Sequence, residues 1–355
     1  MTLYDQAEYM EDVRRIAQIH LPWEKLAGCN IVLSGAAGMI GSFLTDVLLE
    51  KNRLSGLNCT VYALVRSLDK ATARFSRHLT DNHFVLVPCD VNGPLPLDDF
   101  LKADYVLHLA SNTHPLSYAS DPVGTIMTNI VGLKNLLDFS VSHGTARFLF
   151  ASSNEIYGEN RGDVELFDEE YCGYINPNTL RAGYPESKRC GEALCQAYRT
   201  SKKLNVVIAR LTRCYGPTML TTDTKAVSQF IKNGINGQDI VLKSSGSQHY
   251  SFLYAGDSVS GILMTLLRGQ DGEAYNLADA RSDVVLKDLA GMIAASAGSK
   301  VIFESPDPLE EAGYSRATKA RLNGDKLRAL GWKPMYDLRT GIERTMGILK
   351  DVSRS

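Results

Sequence analysis

The chain has 355 residues, 44% apolar and 22% charged, enough for one large α/β domain or two lobes around a sizeable core. Lys and Arg number 38 against 40 Asp and Glu, so there is no broad basic field and no nucleic-acid partner is expected. No apolar run reaches the length of a membrane span, and the N-terminus lacks the basic-then-apolar pattern of a secretory signal.

Seven Cys are scattered without a C-x-x-C pair. The odd count fits a reducing, cytoplasmic setting in which each thiol is a small core residue. Seven His show no H-E-x-x-H or comparable spacing, so no metal is expected.

In chain order, residues 1–27 read as an N-terminal helical extension. Tyr9, Val13, Ile16, Ala17 and His20 fall near helical spacing, and Pro22 ends the run. The spacing predicts a helix packed on the outside of the domain, with a lid or dimer contact as the alternative. Asn30-Ile31-Val32-Leu33-Ser34 is a buried strand, and Gly35-Ala36-Ala37-Gly38-Met39-Ile40-Gly41 a glycine-rich turn that opens a helix. Such a turn brings backbone N–H groups and the positive helix end to a pyrophosphate. The spacing is G-x-x-G-x-x-G rather than G-x-G-x-x-G; the strand–turn–helix setting is what points to a dinucleotide. The second strand, Thr60 to Val65, ends in Val65-Arg66-Ser67. An acidic residue for the ribose diol of NAD ordinarily stands there, whereas Arg66 is suited to a 2′-phosphate. The cofactor is therefore NAD or NADP, with Arg66 leaning to NADP and Lys70 and Arg74 close by.

Further strands fall at Phe84–Val87, Tyr105–Ala110, Phe148–Ala151 and Val206–Ala209, with helical segments from Pro122 to Val141 and Pro185 to Lys202 between them. The alternation implies an α/β fold with a doubly wound parallel sheet over residues 28–210. Ligands of such sheets lie beyond the carboxyl ends of the strands, which puts Ser111, Ser152 and Ser153 on the cofactor side. From residue 211 to 355 the apolar runs shorten, with strands near residues 240–242, 251–254 and 274–277. Asp257 is placed to cap a helix reaching Leu267, and Trp332 and Leu338 lead into a last helix. This part reads mainly as a smaller substrate-binding lobe, with some interleaving into the first domain.

Gly183-Tyr184-Pro185-Glu186-Ser187-Lys188 carries the chemistry. One helical turn sets Tyr184 and Lys188 on one face, and an ammonium beside a phenol favours the phenolate. About thirty residues earlier, Ser153 is placed to share a substrate oxygen with that phenol, and Glu155 to handle a proton at carbon.

Together the Gly35–Gly41 turn, His108-Leu109-Ala110-Ser111, the Ser153/Glu155 strand end and Tyr184-x-x-x-Lys188 resemble the extended short-chain dehydrogenase/reductases of the NAD-dependent epimerase/dehydratase family. Within it the chain is most similar to UDP-glucuronate decarboxylases, through Ala151 to Gly158, Asn176-Pro177, Arg181-Ala182-x-Tyr184, Lys188-Arg189, Gly216-Pro217, Gly246-Ser247-Gln248 and Leu330-Gly331-Trp332-Lys333-Pro334. The resemblance implies a Rossmann domain and a nucleotide-sugar substrate oxidised transiently at C4. Tyr184, Lys188 and Ser153 would serve that first step, and Glu155 the second. It also implies a nicotinamide dinucleotide held by Gly35, Gly38, Met39, Ile40, Gly41, Arg66, Asp90, Val91, Leu109, Ala110, Ser111, Asn129, Ser152, Tyr184 and Lys188. Asn112, Arg181, Arg213 and Tyr250 would meet the substrate. A homodimer would form through the helices near residues 122–142 and 183–202.

The chain departs from that pattern where Arg213 stands for an Asn, Thr218 for an Arg, and His249-Tyr250 for Thr-Arg. Losing a phosphate-facing guanidinium removes a charge-assisted hydrogen bond of roughly 1.5–3 kcal/mol, and Arg213 is placed to return one charge from another direction. Asn154 replaces the Asp that dTDP-glucose 4,6-dehydratases use as a proton donor, although GDP-mannose 4,6-dehydratases lack it too. Dehydration remains an alternative, plain 4-epimerisation ranks third, and the alternative outside catalysis is a cofactor-binding sensor or scaffold.

Overall fold

A computed structural model describes residues 2–97, 102–113, 115–306, 308, 311, 314–315 and 317–353. Its centre is a seven-stranded parallel sheet built from β1 (Asn30–Ser34), β2 (Thr60–Val65), β3 (Phe84–Pro88), β4 (Tyr105–His108), β5 (Arg147–Ser153), β6 (Val206–Leu211) and a strand from far along the chain. After β6 come β7 (Arg213–Tyr215), β8 (Ile240–Leu242), β9 (His249–Tyr254) and β10 (Ala274–Leu277), the last of which returns to the central sheet. The order is β10-β6-β5-β4-β1-β2-β3. The strands read as apolar runs because helices cover both faces of the sheet. Val32, Leu33, Val106, Leu107, Leu149 and Val207 are fully buried.

The sequence predicts a cap at Asp257. Instead the helix spans Ala255–Arg268, and Asp257 lies inside its first turn. Its buried carboxylate accepts from the backbone N–H groups of Met335 (2.5 Å) and Tyr336 (3.2 Å), tying the C-terminal loop to the helix. The helix is buried along nearly its whole length and packs against β6, because β10 brings the chain back to the sheet edge. Residues 211–355 thus contribute a strand and a covering helix to the first domain as well as the smaller sheet. In that sheet β9 is the hub. It pairs with β7, with β11 (Asp283–Val285) and with β13 (Lys319–Ala320), while β12 (Val301–Phe303) pairs with β8.

The N-terminal helix, Ala7–Ala17, packs on the outside of the domain as its spacing predicts, with Glu8, Glu11, Arg14 and Arg15 exposed. Tyr9, Val13 and Ile16 are fully buried, and the helix packs on the helices Met39–Ser55 and Ala255–Arg268. Its Asp12, fully buried, accepts from the hydroxyls of Tyr254 (2.7 Å) and Tyr336 (2.6 Å) and from Arg344 Nε (2.9 Å). An uncompensated charge there would be costly, so the extension and the last helix, Leu338–Ser353, hold each other in place.

The long helical segment after β4 is broken into Pro122–Met127, a π-helical turn Thr128–Gly132 and Leu133–Ser142. Such wide turns recur at functional sites because they re-aim one side chain. Here that side chain is Asn129.

Candidate active site

A cleft of about 1070 Å³ runs across the carboxyl ends of the central strands. At one end lies the glycine turn. Gly35 has φ +71°, and a Cβ there would sit 2.6 Å from the backbone nitrogen of Ala110. Any other residue would push the turn off the end of β4. A Cβ on Gly41 would fall 2.3 Å from the Gly35 carbonyl oxygen. Gly38 starts the helix Met39–Ser55 without a side-chain cap. The first amides of that helix are therefore left to a ligand, and this bare cradle fits a pyrophosphate.

Gly35, Gly38, Met39, Ile40 and Gly41 line the cleft, as do Leu109, Ala110, Ser111 and Ser152. The Ser152 hydroxyl is buried without a hydrogen-bond partner. Arg66, Asp90 and Val91 line the far end together with Leu3, which reaches it from the N-terminal segment. Arg66 is exposed. Arg74 is committed elsewhere, to Asp46 (2.7 Å) and to the hydroxyls of Tyr4 (2.8 Å) and Tyr9 (3.1 Å). Asp46 also takes a hydrogen bond from His78 (2.8 Å). Arg74 is thus part of the packing of the N-terminal segment, not a spare cation beside Arg66.

Asn129 lies fully buried behind the cleft wall, not on it. It accepts from Ser111 Oγ (2.7 Å) and donates to Ser187 Oγ (2.9 Å), which donates in turn to the Tyr184 carbonyl (2.9 Å). The relay fixes the first turn of the helix Gly183–Lys202 against the end of β4. Asn112 lines the cleft and donates to Thr125 Oγ1 (3.4 Å).

At the end of β5, Ser153 caps the short turn Asn154–Tyr157 by accepting from Glu155 N (3.2 Å). Tyr184, Ser153, Glu155 and Lys188 come together in the cleft wall. The Tyr184 phenol is pushed up to about 12, first by burial and then by the nearby Glu155 carboxylate. Hydrogen bonds from Ser153 and Tyr118 and the charge of Arg181 pull the other way. Lys188 is pushed down to about 7 by burial. Its Nζ donates to the Ala151 carbonyl (2.8 Å) and lies 6.0 Å from the centre of the Tyr184 ring. The expected depression of the phenol by the ammonium is therefore absent in the ligand-free protein. Desolvation penalises the charged form of both groups and outweighs their attraction.

Two features have no sequence signature. Tyr118 stacks on Tyr184, with ring centres 4.7 Å apart at 30°. Arg181 lies 4.6 Å over the Tyr118 ring and grips the Glu155 carboxylate at 2.6 and 2.5 Å. Arg181 is thus held by Glu155 on one side and an aromatic face on the other. On the opposite wall Arg213 lies on the ring of Tyr250, 3.5 Å from its centre, and Thr218 donates to the Met39 carbonyl (2.8 Å). His108 is buried, bonded through Nδ1 to Ser34 Oγ (2.7 Å), and pushed down to about 3 by burial, so it is a neutral packing group.

A parallel sheet of this order, a bare glycine cradle and a buried Ser–Tyr–Lys set define a dinucleotide-dependent enzyme of the short-chain dehydrogenase/reductase type. The chain belongs to the NAD dependent epimerase/dehydratase family, whose model matches residues 31–278. It is 32% identical over 324 residues to UDP-glucuronic acid decarboxylase 1 of Xenopus tropicalis, covering 89% of this chain and 71% of that one. It is also 32% identical to UDP-glucuronic acid decarboxylase 5 of Arabidopsis thaliana, covering 88% and 87%. Among solved structures it shares its fold with DesIV, a dTDP-glucose 4,6-dehydratase from Streptomyces venezuelae with NAD bound (TM-score 0.77, 23% identity, 91% and 97% covered). The same holds for UDP-glucuronic acid 4-epimerase from Bacillus cereus in complex with UDP-glucuronic acid and NAD (TM-score 0.77, 21% identity, 91% and 99% covered).

Proposed function

We propose that this enzyme decarboxylates a nucleotide-linked uronic acid by transient oxidation at C4. The observation that carries the reading is that Tyr184, Ser153, Glu155 and Lys188 share one buried wall of the cleft. Tyr184 takes the proton of the C4 hydroxyl while Ser153 holds the same oxygen. A nicotinamide dinucleotide, its pyrophosphate held by the Gly35–Gly41 turn, would supply the redox chemistry by accepting and returning hydride. With C4 a ketone, the bond from C5 to its carboxylate breaks and carbon dioxide leaves. The electron pair moves to the C4 oxygen, where Ser153 and the now protonated Tyr184 receive it. Glu155 then assists proton delivery to C5. Asn154 supports this reading over 4,6-dehydration of the dTDP-glucose type, since an amide cannot hand a proton to a leaving hydroxyl at C6.

The test is a nucleotide-sugar panel with the holoenzyme, read by carbon dioxide release and mass spectrometry of the products. Pentose nucleotide from a uronate is the expected result; silence across UDP, dTDP, GDP and CDP sugars would leave the sensor reading instead. Glu155→Gln should oxidise C4 but slow protonation at C5, and with it pentose nucleotide formation, about 10²- to 10⁴-fold, leaving reduced nicotinamide to accumulate. Pentose nucleotide formation at the wild-type rate would remove Glu155 from the second step.

Exposed Arg66 at the far end of the cleft, with no carboxylate in the Val65-Arg66-Ser67 run, supports acceptance of NADP. Arg66→Ala should then weaken NADP more than NAD, and equal loss in calorimetric titration would remove the argument. Exposed Val123 (69%), Leu180 (54%) and Met127 (44%) on and beside the helices of residues 122–142 and 183–202 support a homodimer through that face. Seven unpaired cysteines suit a cytoplasmic, reducing setting. Among the described residues no helix is long and apolar enough to cross a membrane.

A further inference from the structure

We propose that Arg213, laid flat on Tyr250, is the residue that receives an oxyanion of the nucleotide sugar; the proposal rests on the nucleotide-sugar reading above. Several cations line the sugar and nucleotide portion of the cleft. Arg181 gives its Nη2 to the Glu155 carboxylate, and Lys225 is bound to Asp223 at 3.0 Å. Arg213 has no carboxylate within ion-pair distance among the described residues. Its Nη1 is buried without a hydrogen-bond partner, and so is Oε1 of Gln248 in the same wall. That one donor is shielded from water without having gained an acceptor, and an anion entering the cleft would supply one.

The placement is built, not incidental. β7 runs parallel to β9 with Arg213 opposite Phe252. Side chains alternate along a strand, so Phe252 and Tyr250 share a face and Arg213 lies over the residue one step diagonal to it. The Tyr250 hydroxyl donates to the Ala317 carbonyl at 2.8 Å, which fixes the ring as a platform. A guanidinium stacked on an aromatic face keeps its fork free for bidentate bonds to phosphate or carboxylate. Position 250, which presents a phenol and no charge, could not do this alone. The cation comes from the neighbouring strand and uses the Tyr250 ring as its support.

Two substrate oxyanions share this chemistry: the diphosphate and the sugar carboxylate. Calorimetry on NAD-loaded protein with a nucleoside diphosphate, its neutral hexose and its uronate separates them, the base being the one wild type binds best among UDP, dTDP, GDP and CDP. Arg213→Met, which keeps the stem and removes the charge, should weaken binding about 10- to 100-fold, and Arg213→Lys should recover part of it. Loss already present with the nucleoside diphosphate assigns the diphosphate; loss confined to the uronate assigns the carboxylate. NAD affinity should stay at the wild-type value in every variant. Tyr250→Ala, which removes the platform, should weaken the same ligand and gives a second route if Arg213→Met does not fold. Unchanged affinity for all three ligands in Arg213→Met, or an equal loss of NAD and nucleotide binding without rescue by Lys, would overturn the assignment. Absence of nucleotide binding by wild type would instead sink the nucleotide-sugar reading, and Arg213's role with it.

Discussion

Tyr184→Phe should lower turnover by at least about 10³-fold while leaving NAD affinity within a few-fold of wild type. The variant loses one oxygen. That oxygen is the one that, on the proposed mechanism, takes the proton from C4. The Tyr184 ring, which is what Tyr118 stacks on, stays in place. The relay from Ser111 through Asn129 and Ser187 ends on the Tyr184 carbonyl, so the backbone of the helix start is also untouched. The check is paired: single-turnover reduction of bound cofactor, which should vanish, and a binding isotherm, which should not move. If the cofactor is still reduced at the wild-type rate, the proton goes elsewhere. The raised phenol, pushed to about 12 in the free protein, adds a second expectation. It remains neutral through the physiological range, so no phenolate absorbance should appear at neutral pH.

What could be read from the sequence is local in kind. The strand Asn30–Ser34, the glycine turn and the Tyr184/Lys188 spacing each sit within a few residues, and periodicity or turn chemistry marks them. The return of β10 to the central sheet is not local. Ala274 to Leu277 is a short apolar run like its neighbours, and only its pairing with β6, more than sixty positions back in the chain, distinguishes it. Tyr118 likewise meets Tyr184 across 66 positions with no spacing rule to announce it. Arg213 and Tyr250 were visible as substitutions in a pattern, but their stacking depends on β7 pairing with β9. The pKa direction of Tyr184 failed for a related reason. Residue identity gives the ammonium neighbour, but burial, which decides the sign, is a property of the assembled fold.

Burial also drives the last expected result, for Lys188→Met. Lys188 titrates at 10.5 in an ordinary setting and at about 7 in the fold, with burial as the first cause. Between those values the unfolded chain holds a proton that the native protein does not, so stability rises with pH across that window. Below about 7 the lysine is charged in both states and the full desolvation penalty is present. Substituting Met removes the charge. The gap between 10.5 and about 7 sets an upper bound of roughly 5 kcal/mol on the relief. Loss of the hydrogen bond to the Ala151 carbonyl takes back roughly 1–3 kcal/mol of that. Cofactor-free Lys188→Met should therefore be more stable than wild type at pH ~6, by on the order of 2 kcal/mol, with the advantage gone by pH ~10. On the proposed mechanism its turnover should also fall, by at least about 10²-fold, because the amine one helical turn from Tyr184 is gone from the cleft wall. Denaturant melts at the two pH values, set beside a rate measurement, test both halves. A variant less stable than wild type at the lower pH would mean that the ammonium is satisfied in the fold, and that the site does not hold its lysine at the expense of stability.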